Sequence, residues 1–150
     1  MTKTLYAVMA ISFVVIAAVA LSSTQSSALE YQGEMYQTDA CGCCDVWGTY
    51  AQRSIDLDIT QEASINSIKD EHNIPQHLRS CHTTIIEGYF VEGHIPIQAI
   101  EKLLDERPDI AGIALPGMPS GTPGMPGPKT QDWVVHAVNH DSSSYEFMRI

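Results

Sequence analysis

Positive charge is what this chain most lacks. Its 150 residues carry 8 Lys and Arg against 18 Asp and Glu, a formal net charge of −10. Acids and bases are scattered, no basic stripe forms, and aromatics make up only 7% of the residues. Such a chain repels nucleic acid and anionic lipid and carries no aromatic-rich RNA-binding signature, so nucleic-acid binding is excluded. Metal cations or a basic partner surface would be attracted instead. Cysteine is scarce too, at four residues, but unevenly spread. Cys41, Cys43 and Cys44 crowd into DACGCCDVWG (39–48), and only Cys81 lies elsewhere. At most one long-range disulfide is then available, which disfavours the disulfide scaffold of small exported domains.

Charge is also missing from the start of the chain. Lys3 is the only charged residue before Glu30; the apolar run LYAVMAISFVVIAAVAL follows it, and then small, polar SSTQSSA. Ser26 and Ala28 form a small-x-small cleavage site ahead of Leu29. This is the layout of a secretory signal peptide over residues 1–28. The alternative, given the length of the run, is an uncleaved membrane anchor. Both place the remainder outside the cytoplasm. Residues 29–150 suffice for one domain with a core, but not two.

The remaining pattern predicts the order β-α-β-α-β-β-α-loop-β-β. YQGEMYQT (31–38) reads as a strand feeding the cysteines, and CDVWGTYAQR (44–53) as a short helix that Gly48 weakens. SIDLDIT (54–60) alternates as a half-buried strand with Ile55, Leu57 and Ile59 on one face. Thr60 is placed as N-cap of a second helix, with Ala63, Ile65 and Ile68 as its apolar stripe and Pro75 as its stop. TTIIEGYFVEG (83–93) reads as two strands turning near Glu87 and Gly88. Pro96 opens a helix in which Ile97, Ile100, Leu103 and Leu104 recur at helical spacing. PDIAGIALPGMPSGTPGMPGPK (108–129) is too rich in Pro and Gly to continue helix or ladder and reads as loop. DWVVHAVNH and YEFMRI close the chain as a C-terminal β-hairpin. The expected class is α/β, a small mixed sheet flanked by helices.

Cys41 and Cys44 share one side of the first helical turn if the helix begins near Gly42 or Cys43. Unpaired N–H groups at a helix start favour thiolate over thiol. A redox CxxC needs only those two sulfurs, so Cys43 requires another reason. A soft monovalent ion supplies one, because Cu(I) prefers thiolate and thioether donors and thiolates bridge such ions. Zinc accepts Cys₄ or Cys₃His, but its structural sites more often pair two separated knuckles, and one dense cluster is present here. In RSCHTT (79–84), Cys81 is the fourth sulfur, while His82 is either a ligand or a loop hydrogen-bond partner. On a thioredoxin-like fold the loop entering the third strand lies against the CxxC turn, which would bring Cys81 beside the cluster. In EGHIP (92–96), His94 either joins the site or caps the next helix. Met118 and Met125, thioethers on a Pro/Gly loop, suit Cu(I) capture or simple packing. His72, His77, His136 and His140 read as solvated surface residues.

CGCCDVW, SCHTTIIEGYFVEGHIP, RPDIAGIALPGMPSGTPGM and the closing hairpin, in that order, resemble the CopG-like family of exported, thioredoxin-like metal-binding proteins linked to bacterial copper resistance. The resemblance spans about 36–150. It implies a periplasmic copper-binding role through Cys41, Cys43, Cys44 and Cys81, with Met118, Met125 and His94 at family-pattern positions. The resemblance, more than the spacing, selects copper over zinc. A copper oxidoreductase role and other periplasmic copper-handling proteins as partners are compatible with it. Two rival functions stay open: a thiol-disulfide oxidoreductase in which Cys41 attacks and Cys44 resolves, and a structural zinc protein. Gly48 departs from the pattern and puts the regularity of the first helix in question.

Overall fold

The chain runs from β1 (Gln32–Thr38) into α1 (Gly42–Ala51), β2 (Asp56–Glu62) and α2 (Asn66–Glu71). A 3₁₀ turn (Gln76–Leu78) leads to β3 (His82–Ile86), β4 (Tyr89–Glu92), α3 (Ile97–Glu106), β5 (Gly112–Ala114), β6 (Val134–Val138) and β7 (Ser144–Arg149). These elements come from a computed structural model that describes residues 31–150. The expected leader, residues 1–28, and its alternative as an anchor lie outside the described residues. Among the described residues no helix is long and apolar enough to cross a membrane.

The seven strands of the described residues join one sheet in the order β2-β1-β3-β4-β5-β6-β7. β1 is parallel to β2 and antiparallel to β3. β3 and β4 form a hairpin, and its two turn residues, Glu87 at φ 49 and Gly88 at φ 85, both take the left-handed conformation that a tight hairpin turn demands. β4 is parallel to β5 across α3, and β5, β6 and β7 then alternate antiparallel. The mixed sheet and the C-terminal hairpin of β6 and β7 are as expected.

Strand alternation assigns the core to two faces. Met35, Leu57, Val91, Ile113 and Ala137 pack with Cys44, Trp47 and Ala51 of α1 and with Ala99, Ile100, Leu103 and Leu104 of α3. Phe90, Ala114 and Val138, each next in sequence to one of those strand residues, pack on the other face with Ile74 and Leu78. α1 and α3 therefore cover one face, and the segment after α2 covers the other. Each fully buried large side chain here, such as Trp47 or Ile100, contributes about 1.5–3 kcal/mol of burial free energy.

The structure corrects several local expectations. β5 lies inside the stretch read as loop, because three residues in a stretch rich in Pro and Gly are too few to show a period. Gly112 is required there, since a Cβ would run into the carbonyl and ring of Phe90. β2 continues through Thr60 to Glu62, so Thr60 caps nothing; Ile65 stands at the N-cap of α2. α2 ends at Glu71, well before Pro75, with Asn73 in the left-handed region closing it. Ile59 is 38% exposed, because β2 is an edge strand and only its first part, at Leu57, reaches the core. α1 runs unbroken through Gly48, whose missing side chain lets the helix press on Met35 and Ile59.

Candidate metal centre

β1 delivers the cysteines to a tight turn. The Cys41 N–H donates to Thr38 O at 3.2 Å, and the Cys41 carbonyl accepts from the amides of Cys44 (3.0 Å) and Asp45 (3.2 Å), which starts α1. Gln37 Nε2 donates to Asp45 Oδ1 at 2.6 Å and pins the first turn to β1. An acid there also complements the positive end of the helix. Further along α1, Trp47 Nε1 donates to Ile95 O (2.9 Å), and the Tyr50 hydroxyl accepts from Ile97 N (2.9 Å). Those two bonds clamp the segment after β4 to α1 and so bring His94 towards the cysteines.

Cys81 sits at the entrance to β3. Its Sγ and those of Cys41, Cys43 and Cys44 all lie within 4.8 Å of one another. Cys41 and Cys44 are joined as a disulfide, whereas Cys43 and Cys81 are free thiols. Cys43 Sγ is 3.6 Å from Cys41 Sγ. Cys81 also belongs to a second group, with His82 and His94. His94 Nε2 approaches its sulfur to 3.1 Å and His82 Nδ1 to 3.5 Å.

Hydrogen bonding decides which imidazole nitrogens are available. His94 Nδ1 is 2.7 Å from Pro123 O. A carbonyl can only accept, so Nδ1 carries the proton and Nε2 turns its lone pair to Cys81. His82 is fully buried, with its ring 4.5 Å from Trp47 and 4.9 Å from His94 between centroids. Its Nε2 has no hydrogen-bond partner among the described residues. Burial, then the neighbouring His94 and Lys69, holds His82 well below the usual histidine pKa of 6.5, and burial also lowers His94. The Cys81 thiol is pushed up to about 11, first by burial and then by Cys43. Unlike a cysteine at a helix start, Cys81 therefore holds its proton at neutral pH.

The neutral histidines give a stability prediction. Below about 6.5 the unfolded chain takes up protons that folded His82 and His94 refuse, so their contribution is full above that pH and is lost as pH falls through and below it. The denaturation midpoint of the metal-free protein should drop between pH 7 and pH 5, and His82→Phe should flatten that drop. An identical slope in the variant would contradict it.

The Pro/Gly loop closes over the centre. Gly124, at φ +85, lies so near that a Cβ would stand 2.6 Å from Cys43 O and 3.0 Å from both His94 Nδ1 and Trp47 N. Gly124→Ala should lift the loop, cost about 1–3 kcal/mol and weaken metal retention. Gly117→Ala is the control, because Gly117 also has positive φ but nothing within 4 Å. Equal thermal midpoints for the two variants would contradict the close packing.

Of the residues singled out in the sequence, the fold gathers Cys41, Cys43, Cys44, Cys81, His82 and His94. Met118 stands on the loop, 43% exposed, and Met125 is half-buried directly after Gly124. His77 and His140 are exposed, and His72 and His136 are half-buried; none joins a potential metal-ligand group among the described residues. The sequence reading missed Trp47, which walls the site against His82, and the buried ion pair of Lys69 with Glu92 beneath Cys81. A signal for Lys69 did exist, since it falls four residues after Ile65, on the inward face of α2.

The thiol-rich group at the strand-helix junction, with a fourth cysteine and two histidines from the segments around β3 and β4, could hold a metal ion. Residues 78–125 match the family model described as protein of unknown function, DUF411. No curated protein matches the chain. Two solved structures do, both of copper resistance protein CopG. Form 2 is 32% identical with a TM-score of 0.73, covering 80% of this chain and 98% of that one. Form 1 is 31% identical with a TM-score of 0.73, covering 79% and 96%. The chain belongs to the CopG copper-resistance protein family.

Proposed function

We propose that this is an exported protein that sequesters or passes on Cu(I) in the periplasm and so contributes to copper resistance. The observation that carries the reading is the convergence of four cysteine sulfurs within 4.8 Å. Thiolates at that spacing suit a soft monovalent ion and can bridge more than one. Cys81 belongs to both ligand groups, which supports a shared, bridging sulfur. The proposed ligands are Cys41, Cys43, Cys44 and Cys81, joined by His82 through Nδ1 and His94 through Nε2. Met118 and Met125 are further thioether candidates on the overlying loop. Residues 1–28 would serve as the leader, on the sequence pattern alone, and 29–150 as a thioredoxin-like domain, for which the β1-α1-β2-α2-β3-β4-α3 order and the strand sequence 2-1-3-4 within the sheet are support.

Loading has two chemical requirements. The Cys41–Cys44 disulfide must first be reduced by an external dithiol, which gives up two electrons and two protons and itself closes to a disulfide, before its sulfurs can act as ligands, so metal capacity depends on thiol redox state. Cys81 must release its proton to solvent as the metal binds, because His94 Nε2, at 3.1 Å, has to keep its lone pair free to act as a ligand. The delivery partners would be other periplasmic copper-handling proteins.

The disulfide at a helix start also favours a second reading, a thiol-disulfide oxidoreductase using Cys41 and Cys44. Chelator competition and insulin reduction separate the two. Tight Cu(I) retention with slow metal-free insulin turnover is expected; brisk turnover without copper retention would favour the oxidoreductase. Elemental analysis of protein purified under reducing conditions tests the zinc alternative.

A further inference from the structure

Lys69 of α2 and Glu92 of β4 are 3% and 0% exposed, an ion pair sealed inside a small domain. Lys69 Nζ donates to Glu92 Oε1 at 2.5 Å and to Thr83 Oγ1 at 2.8 Å, and Thr83 Oγ1 donates to Glu92 Oε2 at 2.7 Å. Burial is the leading influence on both, lowering the Lys69 pKa and raising that of Glu92 against their mutual attraction. Such a pair contributes little to stability, and apolar replacements of similar volume are often neutral or stabilising. Glu92 makes a further contact: its Oε1 accepts the backbone N–H of Ser80, the residue before Cys81.

The surroundings give that contact leverage. Gly93 N donates to His82 O at 3.0 Å, just beyond Cys81. Gly93 itself, at φ +82, has no room for a side chain, because a Cβ would stand 2.7 Å from Ser80 Cβ. The segment 80–82 is thus bound to the end of β4 from both sides of Cys81, and Glu92 provides the only side-chain anchor for the Ser80 amide among the described residues. We propose that Glu92, held in place by Lys69 and Thr83, is the positioning residue that keeps the Cys81 sulfur against the cysteine cluster. This rests on the reading of Cys81 as a copper ligand.

The test uses two double variants. Lys69→Met/Glu92→Leu fills the space and removes the acceptor; Lys69→Met/Glu92→Gln returns an oxygen to the Ser80 N–H without charge. Two readouts apply. One is the rate at which diamide, taking up the two hydrogens of Cys43 and Cys81, closes a disulfide between them in metal-free protein. The other is Cu(I) affinity by chelator competition. The Leu variant should close its disulfide at least about tenfold more slowly and bind Cu(I) about 10–100-fold more weakly, the usual range for outer partners of metal ligands. The Gln variant should match wild type in both. Folded Leu and Gln variants with equal rates and affinities would overturn the proposal. If the Leu variant does not fold, Ser80→Pro, which deletes the donor and keeps the ion pair, decides by the same closure rate. Wild-type protein that binds no Cu(I) would remove the proposed function, while the closure rates still judge the role of Glu92.

Discussion

Replacing Cys41, Cys43 and Cys44 together by Ser should abolish tight Cu(I) binding in a chelator competition. The substitution removes three of the four sulfurs that lie within 4.8 Å and leaves Cys81 with two neutral imidazoles. Hydroxyl oxygen is a hard donor that does not replace thiolate for a soft ion, so the loss should amount to several orders of magnitude. Near-isosteric Ser limits the structural damage. Only Cys44 is fully buried, and a hydroxyl there costs about 1–3 kcal/mol without a partner. Circular dichroism and a thermal midpoint establish that the variant folds. Wild-type affinity in a folded triple variant would sink the copper-site assignment. Within the cluster, Cys43→Ser should keep the Cys41–Cys44 disulfide on oxidation yet bind fewer copper ions, as mass spectrometry and a metal count would read.

The second large effect belongs to Cys81. Cys81→Ala should weaken Cu(I) binding by at least about a hundredfold and His82→Ala by only about tenfold. Cys81 is common to both groups that could hold a metal, so under the proposed function its removal would take away a charge and a bridging donor together. His82 offers one neutral nitrogen at 3.5 Å from that sulfur and is also held by Trp47, so its loss is more local. The free thiols of Cys43 and Cys81 should further close a second disulfide under mild oxidation. Disulfide geometry requires Cα atoms within about 7 Å, and the closeness of the sulfurs meets the corresponding demand on the side chains. An affinity order with His82 above Cys81 would move the centre of the site towards the histidines.

The origin of the site in the sequence is uneven. CGCC between a strand pattern and a helix pattern identifies the cluster directly, because local spacing alone places three thiols on one turn. Cys81 requires topology as well: β3 must return antiparallel beside β1 before its first residues meet the start of α1. His94 is legible only as a choice between two roles, since the clamp that turns it inward uses Trp47 and Tyr50, far away in sequence. Helical spacing from Ile65 marks Lys69 as inward-facing, but nothing local marks its pairing with Glu92, because the partners stand 23 positions apart and burying both contradicts their usual preference for solvent. β5 is hidden for the opposite reason. Its three residues are too short to alternate, and only pairing on both edges makes them a strand. Gly48 likewise looks like a flaw in α1 until the approach of Met35 and Ile59 is known.

Copper K-edge X-ray absorption on the reduced protein, loaded anaerobically and freed of loosely held metal by a chelator, tests the central claim most directly. The expected spectrum is that of Cu(I) in sulfur-dominated coordination, with the signal absent from the Cys41/Cys43/Cys44→Ser variant. Copper lost entirely to the chelator, or retained in an all nitrogen and oxygen environment, would contradict a cysteine-built copper site.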